Sequence, residues 1–421
     1  VTSTAERDLG TWLDWQLSVH PNAIDLGLAR VGEVGRRLDV IKPAPTTVLV
    51  AGTNGKGSSA AWVRALWPTG QRVGVFSSPH LWRYNERVTV DGVTVGDDMI
   101  CRAFEAIESV RGDTRLTYFE YSALCAMWCF KQASVDLAVL EVGLGGRLDA
   151  TNIVDADAAL ITSIGLDHMA WLGTDREQIG AEKAGVMRPE RPVVIADRDP
   201  PAVLAQHAET AGSVPAQIGR EFDLAAEDTG WQLRLPHETY RLPTLSLGVV
   251  PENFAGAAAL VASLNKPLAA EQVMQALQKP PHLPGRCQIV DGTVRLVYDV
   301  GHNTEAVAVL VDQLMAFPVH GRTRVVLGML EDKPVDEVIE RLRTVADMFY
   351  PAGLDQRSPR GLAGNTLAKR IGKTEAFWAT APDAFDAAWD DSNAGDRIVV
   401  CGSFHTVSGV LADNIAVECT T

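Results

Sequence analysis

The chain has no long apolar run. Nothing in its 421 residues approaches the ~20 consecutive apolar residues that a membrane-spanning helix requires. The opening segment carries acidic side chains and lacks the apolar core of a secretory leader, so no leader is expected there. Basic residues are in deficit, 38 Lys and Arg against 53 Asp and Glu, for a net charge of −15. That balance argues against nucleic acid or an anionic membrane as a partner, since both reward basic patches. An anionic substrate must then be met by local positive groups and metal ions. Cysteine is scarce: six residues, at 101, 125, 129, 287, 401 and 419, with no metal-ligand spacing among them. Cys125 and Cys129 lie four apart in Tyr121–Lys131, which reads as helix, so they share a face as small buried side chains rather than a redox pair. Reduced thiols and a cytoplasmic location fit this usage. Internal repeats and low-complexity tracts are also missing.

What remains is an ordinary globular composition, 46% apolar and 22% charged. The length exceeds what one hydrophobic core usually serves, so two domains are expected.

The most informative stretch is Thr46–Trp67. Thr47-Val48-Leu49-Val50 reads as a buried strand, Ala51-Gly52-Thr53-Asn54-Gly55-Lys56-Gly57-Ser58-Ser59 as a glycine-rich turn, and Ala60–Trp67 as a helix. Strand, glycine turn and helix N-terminus together cradle phosphate with backbone N–H groups. Gly52, Gly55 and Gly57 let the main chain approach an anion, with Thr53 and Asn54 between them. Lys56 supplies a mobile positive charge, and Ser58 or Ser59 a hydroxyl for Mg²⁺. The spacing is shorter than in the standard P-loop. A nucleoside triphosphate is the expected ligand class.

Along the chain, helices are expected at Leu9–Val19 and Ile24–Leu38, broken at His20-Pro21-Asn22, where His20 serves the surface or a cap. Val73–Phe76 is a strand ending in Ser77-Ser78-Pro79-His80. Val88–Val95 is a hairpin about Asp91-Gly92, and a helix runs from Asp97 to about Val110. Leu137–Leu140 ends in Glu141, Ala158–Ile164 in Asp167-His168, and Glu182–Gly185 leads into a strand at Pro192–Ala196. A β region follows at about 215–245, then a helix at Asn253–Leu264. After Pro280–Arg286 the alternation restarts, with strands at Val294–Val300, Arg324–Gly328, Asp347–Tyr350 and Arg397–Cys401.

Near-continuous apolar strands alternating with helices imply a parallel sheet covered on both faces. The expected fold is α/β: an N-terminal, P-loop-type, mostly parallel sheet domain at residues 1–287 and a smaller C-terminal α/β domain at 288–421, facing across a cleft. Ligands bind beyond the carboxyl ends of such strands. Four successive strands end in a phosphate turn, Ser-Ser-Pro-His, a carboxylate and Asp-His. Oxygen ligands plus one imidazole suit Mg²⁺ or Mn²⁺ rather than zinc.

Several blocks resemble the folylpolyglutamate synthase/dihydrofolate synthase family, which belongs with the Mur ligases: Ala51–Ser58, Ser78-Pro79-His80-Leu81, Leu140–Asn152, Glu182-Lys183-Ala184-Gly185, Leu283-Pro284-Gly285-Arg286, Asp299–Asn303 and Gly402–Thr406. They run in order over almost the whole chain, and Glu141–Asn152 is the most specific. The resemblance implies an ATP-dependent ligase joining L-glutamate to dihydropteroate and then to the glutamate tails of reduced folates. It places Lys56 and the loop amides on the outer phosphates, and Ser78, Glu141 and His168 on two metal ions. Lys183 becomes a carbamylated lysine, whose modification turns a repulsive ammonium into an anionic ligand. Asn253 is put on adenine, Arg286 on a phosphate and Asp299 on ribose. Arg87, His302 and Ser403 are put on the incoming glutamate, His302 orienting the nucleophile, and Phe119 and Asp149 on the pterin. Gly301 stands where alanine is common, and Phe254 follows Asn253 where a small residue is common. The expected form is a monomer. A monofunctional folylpolyglutamate synthase, a different Mur-type ligase and a nucleotide-dependent regulatory module remain alternatives at this point.

Overall fold

The computed structural model describes residues 7–20, 22, 24–266, 268–372 and 376–418. It separates into two compact units, Val1–Leu245 with Pro251–Pro281, and Ser246–Val250 with His282–Thr421. The division thus falls after Pro281 rather than after Cys287. Ser246–Val250 goes with the second unit because its backbone is satisfied there: Gly248 N–H donates to Gln313 Oε1 at 2.9 Å, and Gln313 Nε2 donates to the Val249 carbonyl at 3.2 Å.

The first unit is built on β1 (Thr46–Ala51), β2 (Val73–Phe76), β3 (Val88–Val90), β4 (Val93–Thr94), β5 (Leu137–Glu141), β6 (Ala158–Ile161), β7 (Pro192–Ile195) and β8 (Val214–Gln217). These form one sheet in the order β4-β3-β2-β5-β1-β6-β7-β8. All neighbours are parallel except β2–β3 and β3–β4, the latter being the hairpin expected at Asp91-Gly92. The central strands are buried along almost their whole length because both faces are covered. Leu49, Ala138, Leu140, Ala159 and Ile161 face one core with Trp12, Phe104, Tyr121 and Phe130. On the other face Val48, Val50, Val139 and Leu160 are equally buried, and helices Lys56–Leu66 and Pro251–Ser263 meet there through Trp62 and Phe254, ring centroids 5.0 Å apart.

Local chemistry explains several boundaries. Thr117 and Glu120 cap helix Tyr118–Ala133 reciprocally: Thr117 Oγ1 accepts from Glu120 N–H at 3.2 Å, and Glu120 Oε2 from Thr117 N–H at 2.7 Å. Helix Leu9–Val19 matches its expected span, with Asp8 as cap; of the break that follows, Pro21 lies outside the described residues. The helix expected at Ile24–Leu38 begins only at Ala29 and ends at Arg37. Ahead of it Asp25 is drawn into contacts with His20 and Arg30, and Arg30 also binds buried Glu120 at 2.9 Å. Those contacts hold the preceding segment out of the helix.

The β region expected near 215–245 divides. β8 joins the edge of the large sheet, whereas β9 (Asp223–Glu227), β10 (Gly230–Arg234) and β11 (Thr239–Leu242) make a separate antiparallel sheet. Arg198 ties that sheet to helix Pro251–Ser263, reaching Asp223 at 3.0 Å and Glu252 at 2.8 Å.

The second unit holds β12 (Gln288–Val290), β13 (Arg295–Asp299), β14 (Thr323–Leu327), β15 (Met348–Pro351) and β16 (Arg397–Cys401), in the order β12-β13-β16-β14-β15. All pairs are parallel except β12–β13. Its core gathers Val297, Val325, Leu327 and Val399 with Leu310, Ile339 and Leu367. Cys125 and Cys129 are fully buried, and burial pushes the Cys125 thiol pKa up, as an inert core pair requires; Cys419 lies outside the described residues. Among the described residues no helix is long and apolar enough to cross a membrane.

Candidate active site

Parallel registers bring the carboxyl ends of β2, β5, β1 and β6 side by side, in that order. Beyond β1 the chain turns through Gly52 (φ +146°) and Gly55 (φ +84°) into helix Lys56–Leu66. Both glycines are required by space as well as by dihedral angle. A Cβ on Gly52 would lie 1.7 Å from Thr162 Oγ1, and one on Gly55 would lie 2.3 Å from Asn253 Oδ1. β6 and its following loop fasten the turn: Thr162 Oγ1 donates to the Asn54 carbonyl at 2.6 Å, Thr53 N–H to the Ser163 carbonyl at 2.7 Å, and Thr53 Oγ1 accepts from Gly165 N–H at 3.0 Å. The result is a rigid turn at a helix N-terminus, suited to polyphosphate.

Two lysines meet at this turn. Lys56 Nζ donates to the carbonyls of Gly52 at 3.1 Å and Thr53 at 3.0 Å. Lys183, from helix Arg176–Ala184, is only 4% exposed and donates to the same Gly52 carbonyl at 2.8 Å. Burial, and then the nearby Lys56 charge, lower the Lys183 pKa to about 7.

Glu141 ends β5 as a carboxylate 4% exposed. Its Oε2 accepts from Ser78 N–H at 3.2 Å and lies 3.3 Å from where a Cβ on Gly57 would stand. Glu141, Ser78 and the first turn of helix Lys56–Leu66, which carries Ser58, are therefore together. His168 follows β6 with φ +51°, exposed, heading the short helix Met169–Leu172. Among the described residues no three His, Cys, Asp or Glu side chains form a metal-holding group. A buried carboxylate beside the glycine turn, next to the Ser78 backbone and the helix turn that carries Ser58, nevertheless fits a hard divalent cation.

The turn after β2 is organised by Glu86, whose carboxylate accepts the N–H groups of Leu81, Trp82 and Arg83 at 2.6, 3.0 and 2.6 Å. It presents Arg87, 7% exposed, whose guanidinium packs on the rings of Tyr84 and Tyr118 at 5.6 and 5.4 Å. Arg87 Nε donates to His80 Nδ1 at 2.8 Å. Burial, and then the Arg87 charge, lower the His80 pKa to about 4. Phe119 packs on Gly143, where a Cβ would be 2.4 Å from the ring's Cζ, and its ring lies 5.9 Å from that of Phe76. Asp149 is buried and spends both oxygens on its own loop, accepting from Gly143, Leu144 and Thr151 N–H and from Thr151 Oγ1. Burial raises its pKa despite these bonds.

In the second unit Asp299 ends β13 and accepts from Cys287 N–H at 2.8 Å and Gly301 N–H at 2.7 Å; burial raises its pKa. Gly301 has a reason of its own, since a Cβ there would stand 2.8 Å from Asp299 Oδ1. His302 Nδ1 donates to the Val300 carbonyl at 2.9 Å, and its ring lies 6.3 Å from that of Phe404. Arg286 sits over the Phe404 ring at 4.8 Å. Ser403 is buried at the start of helix Phe404–Glu418; its Oγ accepts from Thr406 N–H at 3.0 Å and meets Thr406 Oγ1 at 2.7 Å. It acts as a cap here.

Sequence reasoning overlooked Thr162, Glu86 and His80. Each stands inside or beside a quoted block, but nothing in its spacing distinguishes a loop-fastening side chain from a solvated one.

Residues 50–227 match the Mur ligase middle domain, and residues 285–404 the Mur ligase glutamate ligase domain. Fold and site thus define a Mur-type ligase. The Escherichia coli dihydrofolate synthase/folylpolyglutamate synthase is 43% identical over 411 residues, covering 97% of this chain and 96% of that one. The solved structure of E. coli FolC in complex with DHPP and ADP superposes with a TM-score of 0.94 at 42% identity, covering 99% of this chain and 100% of that one. A bifunctional folylpolyglutamate synthase/dihydrofolate synthase with Mn, AMPPNP and L-glutamate bound gives 0.90 at 40% identity, covering 99% of this chain and 100% of that one. The chain belongs to the dihydrofolate synthase/folylpolyglutamate synthase family.

Proposed function

We propose that this chain is the ATP-dependent ligase that joins L-glutamate to dihydropteroate, and then to the glutamate tails of reduced folates, through an acyl phosphate. The observation that carries this reading is the shared Gly52 carbonyl, where a phosphate-turn lysine and a buried lysine from another helix converge beside Glu141. A simple nucleotide switch has no need of the second lysine.

A carboxylate is a poor electrophile, so ATP first phosphorylates it. Lys56 leaves the loop carbonyls to meet the outer phosphates, and the loop amides at the helix N-terminus, Gly55–Ser58, hold them for in-line transfer; the Thr53 N–H, bonded to the Ser163 carbonyl, fastens the turn instead. Arg286 supplies a further positive charge to phosphate, Asp299 takes the ribose and Asn253 the adenine. Ser58, Ser78, Glu141, His168 and Lys183 would hold two divalent ions, Mg²⁺ or Mn²⁺, which when bound supply charge neutralisation at the phosphates. Lys183 serves as a carbamate: its neutral amine adds to CO₂, forming an N–C bond and releasing one proton. A pKa of about 7 keeps much of that amine neutral at physiological pH.

The amine of glutamate then attacks the acyl phosphate carbon, and phosphate leaves as the amide forms. Arg87 and Ser403 receive the glutamate, and His302, its Nδ1 turned to the Val300 carbonyl, orients the amine through the opposite side of its ring. Phe119 offers an aromatic face to the pterin, and Asp149 holds the Gly143–Leu144 loop around it. The enzyme acts as a monomer.

The test is ADP formation by the purified protein with ATP, Mg²⁺, dihydropteroate and glutamate. Strict dependence on both acceptor and amino acid is expected. Turnover with a muramyl peptide acceptor in place of dihydropteroate, or ADP release without either substrate, would overturn the reading.

A further inference from the structure

Arg87 is an unusual cation. It is 7% exposed, and its one side-chain hydrogen bond among the described residues is the 2.8 Å contact from Nε to His80 Nδ1. Its remaining contacts are the faces of Tyr84 and Tyr118. No carboxylate of the described residues pairs with it, although Glu86 is its sequence neighbour; Glu86 spends its oxygens on three loop N–H groups. A nearly buried guanidinium whose Nη1/Nη2 edge meets no acceptor among the described residues is arranged to receive a carboxylate as a fork.

We propose that His80 is the positioning residue that aims this fork, by holding Arg87 through the Nδ1 lone pair. An arginine Nε–H can only donate, so His80 Nδ1 must accept and the ring proton resides on Nε2. The two tyrosine rings, at 86° to one another, pack against the guanidinium but offer its in-plane N–H groups no directional partner among the described residues. The Nε–Nδ1 bond fixes the guanidinium's rotation and leaves both terminal nitrogens for the ligand. The carboxylate it receives is that of the incoming amino acid, which rests on the glutamate reading of Arg87 given above.

The role depends on an acceptor at one position, which makes it separable from bulk. Asparagine at position 80 can place Oδ1 close to where Nδ1 stands; glutamine reaches one bond further, and leucine has no acceptor. We expect His80→Leu and His80→Gln to raise the KM for glutamate about ten-fold or more, of the order of one lost charge-assisted hydrogen bond. His80→Asn should stay within about three-fold of the parent. Binding of a non-hydrolysable ATP analogue and the thermal midpoint are measured alongside, and both should be unchanged in the Asn and Gln variants. In an Arg87→Ala background, exchanging Asn for Gln at position 80 should change nothing further, because the partner is gone.

Equal KM values for His80→Asn and His80→Gln would overturn the proposal, as would an Asn–Gln difference that persists without Arg87. If His80→Leu does not fold, the Asn–Gln pair still decides. If the Asn–Gln contrast falls on the KM for dihydropteroate instead of glutamate, His80 still aims Arg87, and it is the glutamate assignment that fails.

Discussion

Lys56 and Lys183 donate to one carbonyl, that of Gly52, at 3.1 and 2.8 Å. The two ammonium groups reach it from different helices and share an acceptor that can only partly offset their repulsion. The shared acceptor ties helix Arg176–Ala184 to the turn that opens helix Lys56–Leu66.

Replacing Lys56 with alanine is expected to reduce ATP turnover by at least about two orders of magnitude while leaving the fold intact. Its bonds to the Gly52 and Thr53 carbonyls lie within its own loop, and a partly exposed lysine contributes within about 0.5 kcal/mol of stability. Steady-state ADP release and a thermal melt check both halves. Parental rates would remove Lys56 from the phosphate site.

Lys183 gives a prediction with a sign in pH. Unfolded, the amine keeps its proton to its ordinary 10.5; folded and unmodified, it does so only to about 7. Between these values the unfolded chain binds more protons, so the unmodified lysine's contribution to stability rises with pH across that window. Below pH 7 its burial cost is fully present. Lys183→Met should therefore be more stable than the parent by something on the order of 2 kcal/mol at pH 7 in carbonate-free buffer, less so toward pH 10, yet inactive. Denaturant titrations at the two pH values measure the difference. A carbamate on the parent enzyme should appear as a labile mass increment or as density beyond Nζ; a bare Nζ in an active, metal- and nucleotide-loaded crystal would sink that part of the reading.

Gly55→Ala places a methyl at φ +84°, 2.3 Å from Asn253 Oδ1. Both the left-handed backbone and the displaced amide cost energy, about 1–3 kcal/mol together. ATP-analogue affinity measured by calorimetry should fall at least ten-fold. Shortening Asn253 to Ala in the Gly55→Ala protein should recover the part of the stability lost to the displaced amide, but neither the backbone cost nor the affinity, if the amide contacts the adenine as proposed.

Glu141→Ala should cripple ligation, with excess Mg²⁺ restoring only part of the rate, because an anionic group beside the phosphate turn is lost. The checking experiment is a Mg²⁺ titration of the ligase rate. An unchanged Mg²⁺ dependence would remove Glu141 from the metal site.

Local physics carried much of this protein. The run Thr47–Val50, its glycines and the helix that follows can be read from residue type alone, as can the Asp91-Gly92 hairpin, helix Leu9–Val19 and the carboxylate closing β5, because period, caps and turn chemistry act within a few residues; β6, expected to run to Ile164, ends at Ile161, well short of Asp167-His168. Other features arise only when distant segments meet. Hydrophobic pattern does not encode strand order, so only the fold decides that β1 lies between β5 and β6 and aligns four strand ends. Lys183 reaches the Gly52 carbonyl from 131 residues away, and Asn253 packs under Gly55. The first turn of the helix expected from Ile24 is lost to contacts of Asp25 and Arg30, while Ser246–Val250 joins the second unit through Gln313. His80 becomes more than the end of a strand only once Arg87 folds back to it. In each of these the deciding energy is a hydrogen bond, an ion pair or a steric limit between groups far apart in sequence, which exists only after the chain has closed around them.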